Sequence, residues 1–203
     1  MISGSWPGDV YLYPGLPGEE RAFGPRQVLI AKVRPAGEAS GYSHTQAASP
    51  WVADWDGDGD LDLIVGNIHG QVLLFANTGA ADSPPTFADP TPLTYGAKGR
   101  EVGDGFSKAG PCAADWDLDG DLDLIVGTED KGVLLFRNVG APTQPELADP
   151  VPLGPDGRRI STGYRLKVCV ADWNADGRPD LVVGNCEGTG KERGRLRVYL
   201  RAD

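Results

Sequence analysis

One acidic segment occurs three times in the chain and constrains its fold more than any other feature. The copies occupy residues 54–66, 115–127 and 172–184, and consecutive copies begin 61 and 57 residues apart. Each copy has oxygen-bearing side chains at positions 1, 3, 5 and 9, Gly at position 6, and then an aliphatic run that ends in Gly. A repeat at this spacing predicts a fold built from similar supersecondary units.

The first nine positions of each copy predict a cation-binding loop. Calcium prefers about six to eight oxygen ligands at about 2.3–2.6 Å, and a backbone carbonyl at position 7 together with water would complete such a shell. Carboxylates that lie this close together repel one another unless a cation is present. Glycine at position 6 permits the sharp turn that wrapping an ion requires. We therefore expect three calcium sites.

Three other interpretations of the acidic segment are weaker. An EF-hand needs a bidentate Glu at position 12 and flanking helices, but position 12 is Val65, Val126 or Val183 and lies in a run typical of a buried strand. A solvated acidic surface loop would not recur at a fixed period. Thrombospondin-like arrays place such loops much closer together and carry many cysteines, whereas this chain has three.

The net charge of −10 reflects these loops rather than a basic partner. The loops contain 13 of the 29 acidic residues, so the rest of the chain is slightly basic. We expect no nucleic-acid partner. No apolar run is long enough for a transmembrane helix and the N-terminus does not resemble a signal peptide, so we expect no membrane insertion.

The three cysteines are too few for a disulfide scaffold, and the sequence gives no basis for pairing them. Cys112 and Cys169 each lie three residues before the first Asp of a loop, where the first copy has Trp51. We expect both to be buried apolar residues. We also expect the Trp at position 2 of each loop to pack between neighbouring units.

The strand pattern predicts an all-β chain of β-propeller blades. A strand enters each loop (49–53, 110–114 and 166–171), a second strand follows it, and a third comes after a short turn (70–75, 132–136 and 194–200). A weaker outer strand is predicted at 86–93 and 146–153. Four antiparallel strands per repeat of about 60 residues, without helical periodicity, are typical of a propeller blade.

The N-terminal residues align with the second to fourth strands of a blade, at 2–5, 8–13 and 23–31. We therefore expect one propeller domain or propeller segment of about three to four blades, incomplete at both ends. Its units are a partial blade 1–46, a blade 47–108, a blade 109–163 and a partial blade 164–203. Exposed strand edges in the terminal half-blades favour self-association.

The acidic segment, followed by Gly-x-Val-Leu-Leu-Phe, resembles the FG-GAP/VCBS repeat family. This family includes the calcium-binding blades of integrin α-subunit propellers and of many bacterial surface and secreted proteins, some of them lectins or polysaccharide lyases. The resemblance implies calcium ligands at positions 1, 3, 5 and 9 through side chains and at position 7 through the carbonyl. These residues are Asp54, Asp56, Asp58, Asp60 and Asp62; Asp115, Asp117, Asp119, Asp121 and Asp123; and Asp172, Asn174, Asp176, Arg178 and Asp180.

The sequence offers little for catalysis and more for ligand binding. It has two histidines, no adjacent nucleophile and mostly metal-committed carboxylates, so we expect no enzymatic activity. An aromatic residue and a basic residue precede each entering strand, an arrangement suited to a sugar ring. Alternatively, these rings pack between blades. The candidate ligand-binding residues are Tyr42, His44, Phe106, Lys108, Tyr164 and Arg165.

The sequence therefore favours a calcium-binding β-propeller module that acts in binding or adhesion, with a protein or carbohydrate ligand. We expect it to function outside the cell or on its surface, as a segment of a larger surface or secreted protein. One alternative is the non-catalytic scaffold of a larger carbohydrate-active enzyme. The other is a lectin with sugar sites between blades.

Overall fold

The computed structural model describes residues 1–18, 22–31, 45–79, 84–160, 163–187 and 193–201. Within these ranges the chain forms antiparallel sheets of two to four strands and one short 3-10 turn, Pro155–Gly157, without any α-helix. The all-β architecture of propeller-like blades predicted from the repeat is therefore confirmed.

Four sheets follow one another along the chain, and in each the spatial order of the strands is their order in the sequence. The first contains β1 (Ile2–Gly4), β2 (Val10–Leu12) and β3 (Gln27–Ile30). The second contains β4 (Ser49–Ala53), β5 (Asp62–Gly66), β6 (Val72–Phe75) and β7 (Thr91–Pro92). A two-stranded hairpin follows, β8 (Thr94–Tyr95) and β9 (Arg100–Glu101). The third sheet contains β10 (Gly110–Ala114), β11 (Asp123–Gly127), β12 (Val133–Phe136) and β13 (Val151–Pro152). The fourth contains β14 (Tyr164–Ala171), β15 (Asp180–Glu187) and β16 (Arg193–Tyr199).

The aliphatic run that follows each acidic loop is buried on both faces of its sheet. Leu63 and Val65 pack against the first sheet, whereas Ile64, which lies between them, packs against the third. The next repeat has the same alternation, since Leu124 and Val126 face the second sheet and Ile125 faces the fourth. A strand covered on both faces needs apolar residues at successive positions, which explains why these runs do not alternate with polar residues.

The outer strands are much shorter than the sequence predicts. Only Thr91–Pro92 and Val151–Pro152 are strands, although the predicted segments have eight residues each. Each predicted segment contains two prolines, which lack the N–H that ladder pairing requires. The hairpin β8–β9 was not predicted. Its connection contains Gly96 and Gly99, both with positive φ, and its strands are too short to give a periodic signal.

Two residues of the last repeat that were predicted to be buried or packed between units are exposed. Cys112 is fully buried and Trp55 is 4 % exposed, but the equivalent Cys169 is exposed and Trp173 is 60 % exposed. The fourth sheet covers the third, with Cys112 packed in the shared apolar cluster. No part of the chain that the structure describes covers the corresponding face of the fourth sheet, so the prediction is wrong for both residues.

Candidate metal centre

The carboxylates at positions 1, 3 and 5 converge in the first two acidic loops. In each loop the three residues offer one carboxylate oxygen apiece, and these oxygens all lie within 4.8 Å of one another. The two groups are Asp54, Asp56 and Asp58, and Asp115, Asp117 and Asp119. At such separations the three negative charges repel one another, and a bound cation would offset that repulsion.

Several oxygens in these groups have no partner within the described protein. Asp54 Oδ1 and Asp56 Oδ1 in the first loop and Asp117 Oδ1 in the second are inaccessible to solvent and accept no hydrogen bond. A buried acceptor without a partner costs about 1–3 kcal/mol, and more when it is charged. A bound cation would satisfy these oxygens, so the donor set fits a metal ion that prefers oxygen.

Backbone N–H groups fix the orientation of the carboxylates in the same way in all three loops. The N–H at position 6 donates to the carboxylate at position 1, from Gly59, Gly120 and Gly177 at 3.1, 3.1 and 2.9 Å. The N–H at position 7 donates to the carboxylate at position 5, over 2.9, 3.0 and 2.9 Å. The position 7 residues therefore lie in the turn that closes each loop; they are Asp60, Asp121 and Arg178.

Positive φ occurs at two positions of every loop. The glycines at position 6 have φ of 95°, 100° and 83°, as the need for a sharp turn predicted. Position 4 is also left-handed, with φ of 69° at Gly57, 65° at Leu118 and 59° at Ala175. A non-glycine residue pays about 1–2 kcal/mol for this conformation, so the second and third loops are strained where the first is not.

The Asp at position 9 has a different environment from the other acidic residues. Three residues, Asp62, Asp123 and Asp180, are almost completely buried. In each loop the Oδ2 atom of this Asp accepts the backbone N–H of the Trp at position 2 over about 3 Å. Oδ1 accepts a second backbone N–H beyond the third strand, from Asn77, Asn138 and Arg201 at 2.7, 2.8 and 2.8 Å. This residue therefore ties the loop to the end of the third strand, a role that its predicted assignment as a metal ligand did not anticipate.

Burial and neighbouring charges perturb the acids of the first two loops. Burial raises the pKa of Asp62 and Asp123, against the two backbone hydrogen bonds that each carboxylate accepts. The pKa of Asp121 is raised by desolvation and by the carboxylates of its own loop. The direction of these pKa shifts is the one expected for carboxyl groups that are desolvated or held close to other carboxylates.

The third loop contains its own positive charge. Arg178 Nη2 lies 2.8 Å from Asp176 Oδ2, and Asn174 Nδ2 donates to the same oxygen over 2.9 Å. The hydrogen bond from Arg178, followed by that from Asn174, lowers the pKa of Asp176 to about 2. Asp172, Asn174 and Asp176 are all exposed. A cation entering this loop must therefore compete with a guanidinium for one carboxylate.

Tyr42 and His44, two of the predicted ligand-binding residues, lie outside the described residues. Of the other four, the two aromatic residues pack against neighbouring side chains, and the two basic residues line a pocket. Phe106 packs into the apolar cluster between the second and third sheets, with its ring centroid 6.4 Å from that of Phe136. Tyr164 is half-buried and lies beneath the Arg165 guanidinium at 6.0 Å. Lys108 and Arg165 line a common pocket, together with Trp6 and Lys167, two residues that sequence reasoning missed.

Comparison with known proteins agrees with this architecture. The model of the FG-GAP-like repeat matches residues 54–126 and 115–183, which together form more than half of the chain. No curated protein matches the chain. The described residues contain no helix that is long and apolar enough to cross a membrane. Each matched segment begins at one acidic loop and ends within the strand that follows the next acidic loop. The chain therefore belongs to the FG-GAP-like repeat family.

Proposed function

We propose that this chain is a calcium-stabilised β-propeller module that acts in binding or adhesion outside the cell, without catalytic activity of its own. The observation that carries the proposal is the convergence of three carboxylate oxygens within 4.8 Å in each of two loops. Membership of the FG-GAP-like repeat family supports it, because blades of this kind resemble those of integrin α-subunits. The ligand class that the fold suits is a protein or a carbohydrate.

Calcium is the cation that the donor set favours. All donors in the loops are oxygens, and calcium accepts irregular shells of oxygens at about 2.3–2.6 Å. Magnesium demands a nearly octahedral shell at about 2.0–2.1 Å and releases its waters reluctantly. In the first loop Asp54, Asp56 and Asp58 would hold the ion, and in the second Asp115, Asp117 and Asp119. A third ion in the last loop would bind beside Arg178.

The role of the bound ion in this proposal is structural. Calcium supplies the positive charge that the carboxylates lack. Each loop joins the first strand of its sheet to the second, as between β4 and β5, and Asp62 connects the loop to the residue beyond β6. Neutralising the loop therefore stabilises three strands of one blade together and gives the module a rigid surface for its ligand.

Thermal melting with and without calcium tests this proposal. We expect excess EDTA to lower the melting temperature and calcium to restore it more fully than magnesium. At a calcium concentration of about 1,000 times Kd, one site adds about 4 kcal/mol to the free energy of unfolding. An unchanged melting temperature after chelation would refute the proposal.

A matched pair of variants separates the metal site from general surface charge. Asp56→Asn removes a ligand with an orphaned oxygen, and we expect it to reduce the calcium-induced rise in melting temperature. Asp89→Asn removes the same charge from an exposed residue outside the loops, and the rise should persist. If both variants show the same calcium-induced rise in melting temperature, calcium acts through the net negative charge of the protein and not through this loop.

Self-association is a further part of the proposed binding role. The first and fourth sheets have three described strands each, whereas the second and third have four. An unpaired strand edge can pair with another chain. Sedimentation velocity over a range of protein concentrations tests this expectation, and a strictly monomeric species at the highest concentration would contradict it.

A further inference from the structure

The strands that enter the acidic loops begin at a site with the opposite charge. Three residues occupy equivalent positions in the entering strands, because each pairs with the glycine that ends the aliphatic run of its own repeat. The pairs are Ser49 with Gly66, Gly110 with Gly127, and Lys167 with Gly184. Two residues before the first member of each pair lie Ala47, Lys108 and Arg165, all with left-handed φ, at 56°, 54° and 57°. Three consecutive blades therefore hold non-glycine residues in the same strained conformation at the same end.

A pocket of about 100 Å³ lies at this end and collects residues from all four sheets or their connections. We call it the cationic pocket, and we define it by Trp6, Ile68, Lys108, Arg165 and Lys167. It lies at the start of the entering strands, whereas the acidic loops lie at their ends. Five residues of β-strand span about 17 Å, so the two sites are at opposite ends of the entering strands.

The cationic pocket has an excess of positive charge. Lys108 pairs with Glu129, and both side chains are 29 % exposed. Within the described residues, neither Arg165 nor Lys167 has a carboxylate at ion-pair distance. Lys167 Nζ donates to the carbonyl of Ala109 at 3.2 Å, in the neighbouring blade. Two positive charges therefore remain for an anion in a protein whose net charge is −10.

An exposed indole borders these cations. Trp6 is 59 % exposed although it is a large aromatic residue. Its backbone is held next to the second sheet, because its carbonyl oxygen accepts the N–H of Ala47 at 2.9 Å. Tryptophan combines a flat apolar face with an N–H donor, and it is enriched where one side of a residue must contact a ligand. A sugar ring presents the matching combination of apolar face and hydroxyl groups.

The size of the pocket limits what enters it. Complete sites for drug-sized molecules are usually about 300–1,000 Å³, so a cavity of about 100 Å³ admits a charged substituent rather than an entire ligand. A carboxylate fits the planar guanidinium of Arg165 through two parallel hydrogen bonds. The remainder of the ligand would then lie outside, against Trp6.

We propose that the cationic pocket binds the carboxylate of an acidic sugar, with Arg165 and Lys167 on the carboxylate and Trp6 against the ring. This inference rests on the proposed function as a binding module and names its ligand class. A purely structural role for Lys167, as the donor to Ala109 alone, predicts no ligand and no dependence on Trp6.

Titration calorimetry of the full 203-residue chain in calcium buffer tests this ligand class. The probe is trigalacturonate, and its methyl ester is the matched neutral ligand. We expect the acid to bind and the ester to bind at least 10-fold more weakly, with an affinity for the acid that falls as salt is raised. No binding, or equal binding of acid and ester, would overturn the inference. Equal affinity for oligoglutamate or for inorganic phosphate would overturn it as well, because either result removes the role of the sugar.

Variants locate the site. Arg165→Gln, Lys167→Met and Trp6→Ala should each weaken trigalacturonate binding at least 5-fold, and Arg158→Gln, at an exposed residue outside the pocket, should leave it unchanged. Equal effects of Arg158→Gln and Arg165→Gln would overturn the inference. If a pocket variant fails to fold, the comparison of acid with ester on the unmodified chain still tests whether binding requires the carboxylate. Melting with EDTA is a separate measurement, so failure of the calcium proposal and failure of this one remain distinguishable.

Discussion

Gly66 lies directly against the backbone of Ala109 in the next blade. A Cβ placed on Gly66 would come within 2.4 Å of the Ala109 carbonyl oxygen and within 2.6 Å of the Pro111 ring. The same relationship joins Gly4 to Ala48 and Gly127 to Leu166, at 2.0 and 2.7 Å. The glycine that ends the second strand of a blade is thus the point at which the following blade docks.

Alanine at this docking position should separate neighbouring blades. We expect Gly66→Ala to lower the free energy of unfolding by about 1–3 kcal/mol, because rigid backbone must move to admit the methyl group. Gly184→Ala is the matched control, since the nearest atoms to a Cβ there are 3.9 and 4.0 Å away. Chemical denaturation measures both, and equal stabilities of the two variants would contradict the docking role.

Relief of backbone strain in the second loop should stabilise the protein. Leu118 is 56 % exposed and has φ of 65°, whereas the first loop has Gly57 at the same position. Glycine removes a strain of about 1–2 kcal/mol and loses about 0.4–1 kcal/mol through unfolded-state entropy. We expect Leu118→Gly to raise the melting temperature by a few degrees. Leu61→Gly, at a similarly exposed residue without positive φ, should lower it, and a decrease in both variants would refute this prediction.

The third loop should bind calcium more weakly than the other two. It has Asn174 in place of a carboxylate, and its Asp176 is already paired with Arg178. Affinity in such loops follows the number of charged ligands, although Pro179 stiffens the loop and acts in the opposite direction. Calorimetry should show two tighter sites and one weaker site, and Asn174→Asp should narrow the difference.

Removal of Asp172 distinguishes this ranking from its reverse. If Asp172→Ala lowers the affinity of the tightest site instead of the weakest, the ranking is wrong. Arg178→Gln provides an independent measurement, because it frees the Asp176 carboxylate without changing any ligand. We expect it to strengthen the weakest site, and an unchanged affinity would show that the ion pair does not compete with calcium.

The stability of the protein should depend on pH through Lys167. Desolvation lowers the pKa of this amine from 10.5 to about 8. Between these values the unfolded chain binds more protons than the folded chain, so stability rises as the pH rises from about 8 to 10.5. Lys108, Arg165 and Glu129 are the other charged groups nearby.

Replacing Lys167 with Met removes the amine and tests whether it causes the pH dependence of stability. The difference in melting temperature between the unmodified chain and Lys167→Met should shift in favour of the unmodified chain when the pH is raised from 7.5 to 10. Trigalacturonate binding should weaken over the same range in the unmodified chain and persist in Lys167→Arg, whose guanidinium stays charged. Parallel pH profiles for the unmodified chain and Lys167→Met would contradict this assignment.

The entering strands could be predicted from the sequence to the residue in the second and third sheets, because the acidic loop fixes where each strand ends. The predicted outer strands are too long, because the pattern of apolar residues does not show that proline lacks the N–H needed for strand pairing. The role of Asp62 depends on Asn77, 15 residues away in the chain, and local spacing does not reveal such a contact. Trp6 and Lys167 come from distant segments, so only the arrangement of the sheets brings them together.

The acidic loops and the cationic pocket lie at opposite ends of the same strands. This separation contributes a dipole component along those strands, in addition to the net charge of the molecule. A charged surface would therefore orient the protein before any contact forms, with the pocket leading toward negative charge. Calcium in the loops would reduce the negative end of this dipole and weaken the orienting torque, so the concentration of calcium would influence the direction from which the protein approaches a ligand.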